Sequence, residues 1–279
     1  AFASEEAERL RAWVLGGGNL FLAAGPIFGG DAALPLVPAG LERVLGPFGI
    51  GLDDDVVAEL SPERAFAEEE GLRFVAEPVP HAITTALVKT PGARDVPRII
   101  VHRARSLHLV EEPGAAHAEP LLLTSGQAFG LRSIEGASRW KEPPAKRPGD
   151  LAGPLSIALG CERPKTSASL AHGPRVVVVG TESVMTAATF REPLPYRGAA
   201  LFTESAISWL ASQPQVLDVP EKASVGAGIK IDEDSRGSIR RYVVLFMPAT
   251  VALFGIAIAL FRRAGEGAPR KPTRKKRRA

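Results

Sequence analysis

Arg175-Val176-Val177-Val178-Val179-Gly180-Thr181-Glu182-Ser183 decides the fold. Four consecutive valines leave no polar face, the pattern of a central strand covered on both sides. The residues that follow can cap a helix beginning near Val184, or they can contact a ligand. Working outward, Asn19 to Ala24 reads as a buried strand closed by Gly25-Pro26. Leu121–Thr124 and Leu155–Leu159 read as two more, flanked by Pro/Gly/Lys/Arg-rich loops at 141–154 and 162–174. Between Arg98 and Val110, Ile99, Val101, Leu107 and Leu109 share one parity, which predicts one or two strands.

Helices are predicted at Ser4–Leu15, from Leu41 to Leu45, and at Thr203–Ser212. The first has Ser4 as its cap, Glu5 and Glu6 at its positive end, and Leu10, Trp13 and Val14 as its apolar stripe. Gly16-Gly17-Gly18 ends it; no phosphate-binding Gly-x-x-x-x-Gly-Lys-Ser/Thr pattern is present. Strands alternating with helices predict an α/β protein with a layered, mostly parallel sheet of amidotransferase- or flavodoxin-like kind.

In such sheets ligands sit beyond the carboxyl ends of the strands, where this chain carries Thr124-Ser125-Gly126 and Thr181-Glu182-Ser183. Thr124, Ser125, Glu182 and Ser183 are therefore the candidate ligand-binding residues. No catalytic set accompanies them. Position 123 is Leu, so Ser125 does not sit in Gly-x-Ser-x-Gly, and Cys161 is followed by Glu-Arg-Pro-Lys rather than a helix start. A single cysteine excludes an internal disulfide and a cysteine zinc site. His102 and His108 would lie about 20 Å apart on a continuous strand, too far to share a metal. Asp53-Asp54-Asp55 lacks the alternation and terminal Glu of an EF-hand loop, so turn and solvent roles are expected. His81, after Pro80, reads as a structural hydrogen-bonding residue. No cofactor and no metal are expected.

The far end of the chain adds a second expectation. Tyr242–Phe261 is an uncharged run of 20 residues, long enough as a helix to span about 30 Å, the hydrocarbon thickness of a bilayer. Nine Lys/Arg follow it in residues 262–279 against one acid, and only Arg236, Arg240 and Arg241 precede it. This predicts a transmembrane helix with a cytoplasmic tail and an extracytoplasmic domain, in the inner membrane of a bacterium. Ala252, Gly255 and Ala259 share one face of that helix and are the expected contact with a partner helix. The predicted layout is a domain at 1–220, a linker at 221–241, the span at 242–261 and the tail at 262–279. Because Ala1–Glu6 carries no export signal, the chain is expected to be the C-terminal part of a longer protein.

Charge follows the same division. With the nine cations and one acid of the tail set aside from totals of 34 and 31, residues 1–261 hold 25 Lys/Arg and 30 Asp/Glu, a net of −5. A domain of that charge offers no basic face to nucleic acid, while the tail suits anionic lipid headgroups.

In order along the chain, several short segments resemble the GldG family: Glu5–Pro26 with its helix, Gly-Gly and strand, Leu41–Leu45 with Phe48-Gly49-Ile50, and His81-Ala82-Ile83-Thr84. Leu122-Leu123-Thr124-Ser125, Gly153-Pro154-Leu155, Val176–Ser183 and Ala206-Ile207-Ser208-Trp209-Leu210 continue the match. Gly25 stands for the family's Asp before Pro26, Ala82 for its Pro after His81, and Glu182 for its Asp after the valine run. The resemblance implies a noncatalytic auxiliary, substrate-binding-like subunit of an ABC transporter. Its partners would be the permease, the ATPase and membrane lipid, and family members are associated with gliding motility. An envelope hydrolase of amidotransferase-like fold and a ligand-free scaffold are the alternatives.

Overall fold

The structure is a computed structural model and describes residues 2–29, 36–66, 69–88, 97–111, 114, 116–132, 144–165, 172–192, 195–212 and 246–266. The expected linker at 221–241, and the tail beyond 266, lie outside the described residues. The chain divides into two units, Ala1–Asp218 and Val219–Ala279.

The first unit opens with α1 (Ser4–Leu15), which runs into β1 (Leu20–Ala23) and the short α2 (Glu42–Leu45). Strands then dominate: β2 (Ile50–Leu52), β3 (Val56–Ala58), β4 (Arg73–Pro78), β5 (Ile99–His102), β6 (Leu107–Leu109) and β7 (Ala118–Leu123). After them come β8 (Phe129–Leu131), β9 (Leu151–Ala152), β10 (Ser156–Glu162), β11 (Arg175–Val179) and finally α3 (Gly198–Leu210). The main sheet runs β1-β11-β10-β7-β4-β5, with β6 joined to β10 and β2 to β6. A smaller sheet has the order β3-β8-β9.

The expected mostly parallel sheet is corrected by this topology. Among the named pairings only β1 with β11 is parallel; β10–β11, β10–β7, β4–β7, β4–β5 and β2–β6 are antiparallel. The reason lies in the connections. A parallel pair needs a crossover, usually a helix, whereas β10 returns to β11 through residues 163–174 with no described helix between them. β1, β5, β6, β7, β10 and β11 coincide with predicted strands while β2, β3, β4, β8 and β9 do not, and strand direction depends on what joins the strands.

The valine run is buried on both faces. Val177 and Val179 pack toward Phe202 and Ala206 of α3, together with Phe74, Leu121 and Ile157. Val176 and Val178 point the other way, toward Val14 of α1, Val44 and Leu45 of α2, and Phe48. Each buried valine stabilises the fold by up to about 1.5–3 kcal/mol. At the opposite end of β11, Asn19 and Arg175 fasten the strands to α3. Asn19 Nδ2 donates to the Leu210 carbonyl (2.8 Å) and its Oδ1 accepts the Arg175 N–H (3.0 Å). Arg175 Nη1 donates to the Trp209 carbonyl (2.6 Å) while its guanidinium lies 4.5 Å from the centre of the Trp209 ring. Two carbonyls of the last helical turn thus gain partners they cannot find within the helix.

The start of α1 also differs from expectation. Ser4 is the first helical residue, and the cap position falls on Ala3, whose N–H donates to the Glu6 carboxylate (3.1 Å). The exit follows the glycine reading: Gly17 takes φ +113°, a conformation other residues avoid, as its N–H bonds the Val14 carbonyl.

In the second unit α4 runs from Met247 to Glu266. Among the described residues no helix is long and apolar enough to cross a membrane, which corrects the expected transmembrane helix at 242–261. The apolar part of α4 begins at Met247 and ends at Phe261, because Arg262, Arg263 and Glu266 occupy its last turns. Fifteen residues at about 1.5 Å each give roughly 22 Å, well short of the roughly 30 Å of a hydrocarbon core.

Candidate functional site

Strand directions bring the candidate residues to one edge. β1, β11, β7 and β5 point the same way, so Ala24-Gly25, Thr181-Glu182-Ser183, Thr124-Ser125 and His102-Arg103 all emerge at a common rim. The middle of that rim is closed by the chain itself. Residues 103–106 cross from β5 to β6, with the Arg105 N–H on the Gly180 carbonyl (2.7 Å) and β3 alongside, the Val57 N–H on the Ala104 carbonyl (2.7 Å).

Beneath this crossing lies a group of buried polar side chains. Glu59, fully buried, accepts from the Ser61 N–H (2.9 Å), the Ser125 N–H (2.8 Å) and the Ser125 hydroxyl (2.6 Å). Thr124, also buried, accepts the Leu155 N–H (2.8 Å) and lies 3.1 Å from the Ser125 carbonyl it donates to. Thr124 and Ser125 thus reach the expected edge but are tied into its lining. Sequence reasoning missed Glu59; nothing in its neighbours marks it as buried, and only the pairing of β3 beside the rim reveals it.

The three aspartates also depart from a turn-and-solvent reading. Asp54 is exposed and pairs with the guanidinium of Arg105 (3.1 Å), itself fully buried with Nε and Nη1 lacking a hydrogen-bond partner. Asp55 is buried and accepts both the N–H and the hydroxyl of Ser106 (2.8 Å each), and Asp53 pairs with His108 (3.0 Å). Burial pushes the Asp55 carboxyl up to about 6, against the lowering effect of the Ser106 bonds. Among the described residues no group of three His, Cys, Asp or Glu could hold a metal ion.

The rim stays open on either side of Thr181–Ser183. On the α1 side, a pocket of about 370 Å³ is walled by Leu22, Ala23, Gly25, Ile27, Leu41 and Phe2. On the α3 side, Ser183 borders a crevice of about 280 Å³ with Glu69, His102, Thr186, Thr189 and Tyr196, floored by Ile100, Val101 and Ala199. Thr181, buried, donates to the His102 carbonyl (2.7 Å), and Ser183 Oγ accepts the His102 N–H (3.1 Å), so β11 and β5 are fastened together at the crevice wall. His102 Nε2 meets Glu69 at 2.8 Å. Burial pulls the His102 pKa below its ordinary value, with Glu69 opposing. Ser183 opens a 3₁₀ turn (Ser183–Met185) rather than an α-helix, and Glu182, at the cap position, makes no side-chain capping bond. Its carboxylate lies instead against Gly25: a Cβ there would stand 1.9 Å from Glu182 Oε2. Two positions that depart from the GldG-like pattern therefore touch.

The chain's likeness to known proteins is slight. No family model and no curated protein matches it. Among solved structures it is similar to the mmIFT52 N-terminal domain, with a TM-score of 0.47 and 13% identity, covering 76% of this chain and 72% of that one. A likeness at this level carries no functional argument.

The remaining candidates sit elsewhere. Cys161 is buried in the α1-side core, and burial raises its thiol pKa to about 11, which keeps it protonated and unreactive. His81 is half-buried; its Nδ1 accepts the Ile83 N–H (3.1 Å), its ring meets Trp209 edge-on at 5.6 Å, and burial lowers its pKa. Ala252, Gly255 and Ala259 occupy exposed positions on α4, with nothing within 4 Å of where a Gly255 Cβ would stand.

Proposed function

We propose that this chain is a noncatalytic auxiliary subunit of an ABC transport complex, and that its first unit recognises a ligand at the Ser183 side of the rim. The carrying observation is how the rim's side chains are used. Ser125, Thr124 and Thr181 have their hydroxyls in bonds to the fold, His81 accepts a backbone N–H, and Cys161 is buried, while the crevice beside Ser183 remains open. An edge built this way suits binding rather than bond-breaking, since a nucleophile needs a free base within reach. The transporter assignment and an extracytoplasmic placement draw on the collinear resemblance to the GldG family. Permease and ATPase subunits are then the partners, and the small-residue face Ala252, Gly255 and Ala259 of α4 is the docking surface.

Replacing Cys161 and Ser125 by Ala, singly and together, tests the noncatalytic part. Complementation of a deletion strain by each stably folded variant is the expected result. Loss of function in a folded Cys161→Ala protein would instead favour an enzyme.

A further inference from the structure

The crevice beside Ser183 has a hydrogen-bonding polarity that its composition does not announce. Thr189 Oγ1 donates to the Ser183 carbonyl at 2.5 Å. Thr186 Oγ1 lies 3.1 Å from the same carbonyl and 2.9 Å from Thr189 Oγ1. Each hydroxyl has one proton. With the Thr189 proton on the carbonyl, the Thr186 proton goes to that carbonyl or to Thr189, so both are held within the wall. Thr186 Oγ1 also accepts the Thr189 N–H (3.5 Å), so each hydroxyl has its proton committed within the wall and keeps acceptor capacity for the crevice.

The charged groups on the same wall divide unequally. Glu69 is engaged by His102 Nε2 (2.8 Å) and Arg73 Nη1 (3.5 Å), and the Arg73 guanidinium lies 4.8 Å from the centre of the Phe66 ring. Glu192 also lines the crevice and has no ion-pair partner among the described residues. Tyr196, about 38% exposed, also lines the crevice and brings an aromatic ring to it. An unpaired carboxylate, two acceptor-only hydroxyls and an aromatic face are the elements that coordinate an ammonium: three N–H donors, a positive charge and an attraction to the ring. The floor of Ile100, Val101, Ala188 and Ala199 is apolar and gives an alkyl chain a surface to cover.

We propose that this crevice binds an organic ligand through a primary ammonium group carried on a short apolar stem. The proposal rests on the reading of this rim as a recognition site and gives that site its ligand chemistry. Glu192 supplies the countercharge, Thr186 and Thr189 accept from the N–H groups, and Tyr196 covers the cation.

The test titrates the full chain with n-butylamine and, in parallel, with 1-butanol, which has the same stem without the charge, following chemical-shift changes or heat. Saturable binding of the amine and none of the alcohol is expected. Glu192→Gln should weaken amine binding roughly ten-fold or more, since a charge-assisted hydrogen bond is lost. A Thr186→Val/Thr189→Val double variant should weaken it further, with thermal unfolding recorded to show that both proteins are folded. Absence of amine binding, equal binding of the alcohol, or unchanged affinity in folded Glu192→Gln would overturn the proposal. The probe needs no transporter, so amine binding without association to a permease would remove the transport assignment alone, and association without amine binding would remove the ammonium site alone.

Discussion

Asp55 carries the clearest pH signature in the molecule. Its carboxyl is raised to about 6 from 3.8, chiefly by burial, with the nearby charge of Asp53 adding to the rise and Arg105 opposing it. The folded state therefore holds a proton at pH values where the unfolded chain has released it. The contribution to stability is complete below about pH 4 and is lost as pH rises through about 6, with a size on the order of 3 kcal/mol. Asp55→Asn keeps an oxygen for the Ser106 N–H but cannot ionise. Urea unfolding of the two proteins should show the variant gaining on the wild type as pH rises from about 4 to about 7; parallel profiles would contradict the raised carboxyl. None of this was legible in Asp53-Asp54-Asp55, because adjacent aspartates look alike until β3 and the 103–106 crossing bury one, leave one exposed on Arg105 and set the third on His108. Ser125 and Ser183 were legible as rim residues, since strand ends can be read from where apolar runs stop. Their partners Glu59 and His102 come from distant strands and leave no local trace.

Elements were easier to read than their arrangement. The valine run, the Leu20–Ala23 strand and α1 fall where the apolar pattern puts them, while α3 begins at Gly198, five residues before the expected Thr203. Sheet direction did not follow, because strands alternating with helices imply parallel crossovers, whereas β10–β11 and β4–β5 pair antiparallel and have no α-helix between them among the described residues. In α4 the apolar residues from Met247 to Phe261 give way to charge at Arg262, Arg263 and Glu266, so that the described helix is not apolar along its length. Local side chains instead fix how elements meet, and Asn19 is the sharpest case. It joins the start of β11 to the last carbonyl of α3 with one donor and one acceptor. Asn19→Ala should destabilise the folded unit by about 2 kcal/mol, since two partly buried hydrogen bonds are lost together. Asn19→Asp, which keeps the acceptor alone, should fall between the two in denaturant midpoint. Equal midpoints for wild type and Asn19→Ala would show that the Arg175–Trp209 contact fastens the helix unaided.

At the scale of the whole chain, the first unit is a sheet covered by α1 and α2 on one face and by α3 on the other, which closes the centre of its own carboxyl edge and leaves two recesses beside it. The net −5 of residues 1–261 and the nine cations that follow give the chain two ends of opposite character. The transport role is the claim on which this account depends. Affinity purification of the tagged full chain from its native cells, with mass spectrometry of what accompanies it, addresses that claim directly. Recovery of an ABC permease and its ATPase in constant proportion to the chain is the predicted result. A chain that purifies without either subunit, from cells in which both are expressed, would contradict it.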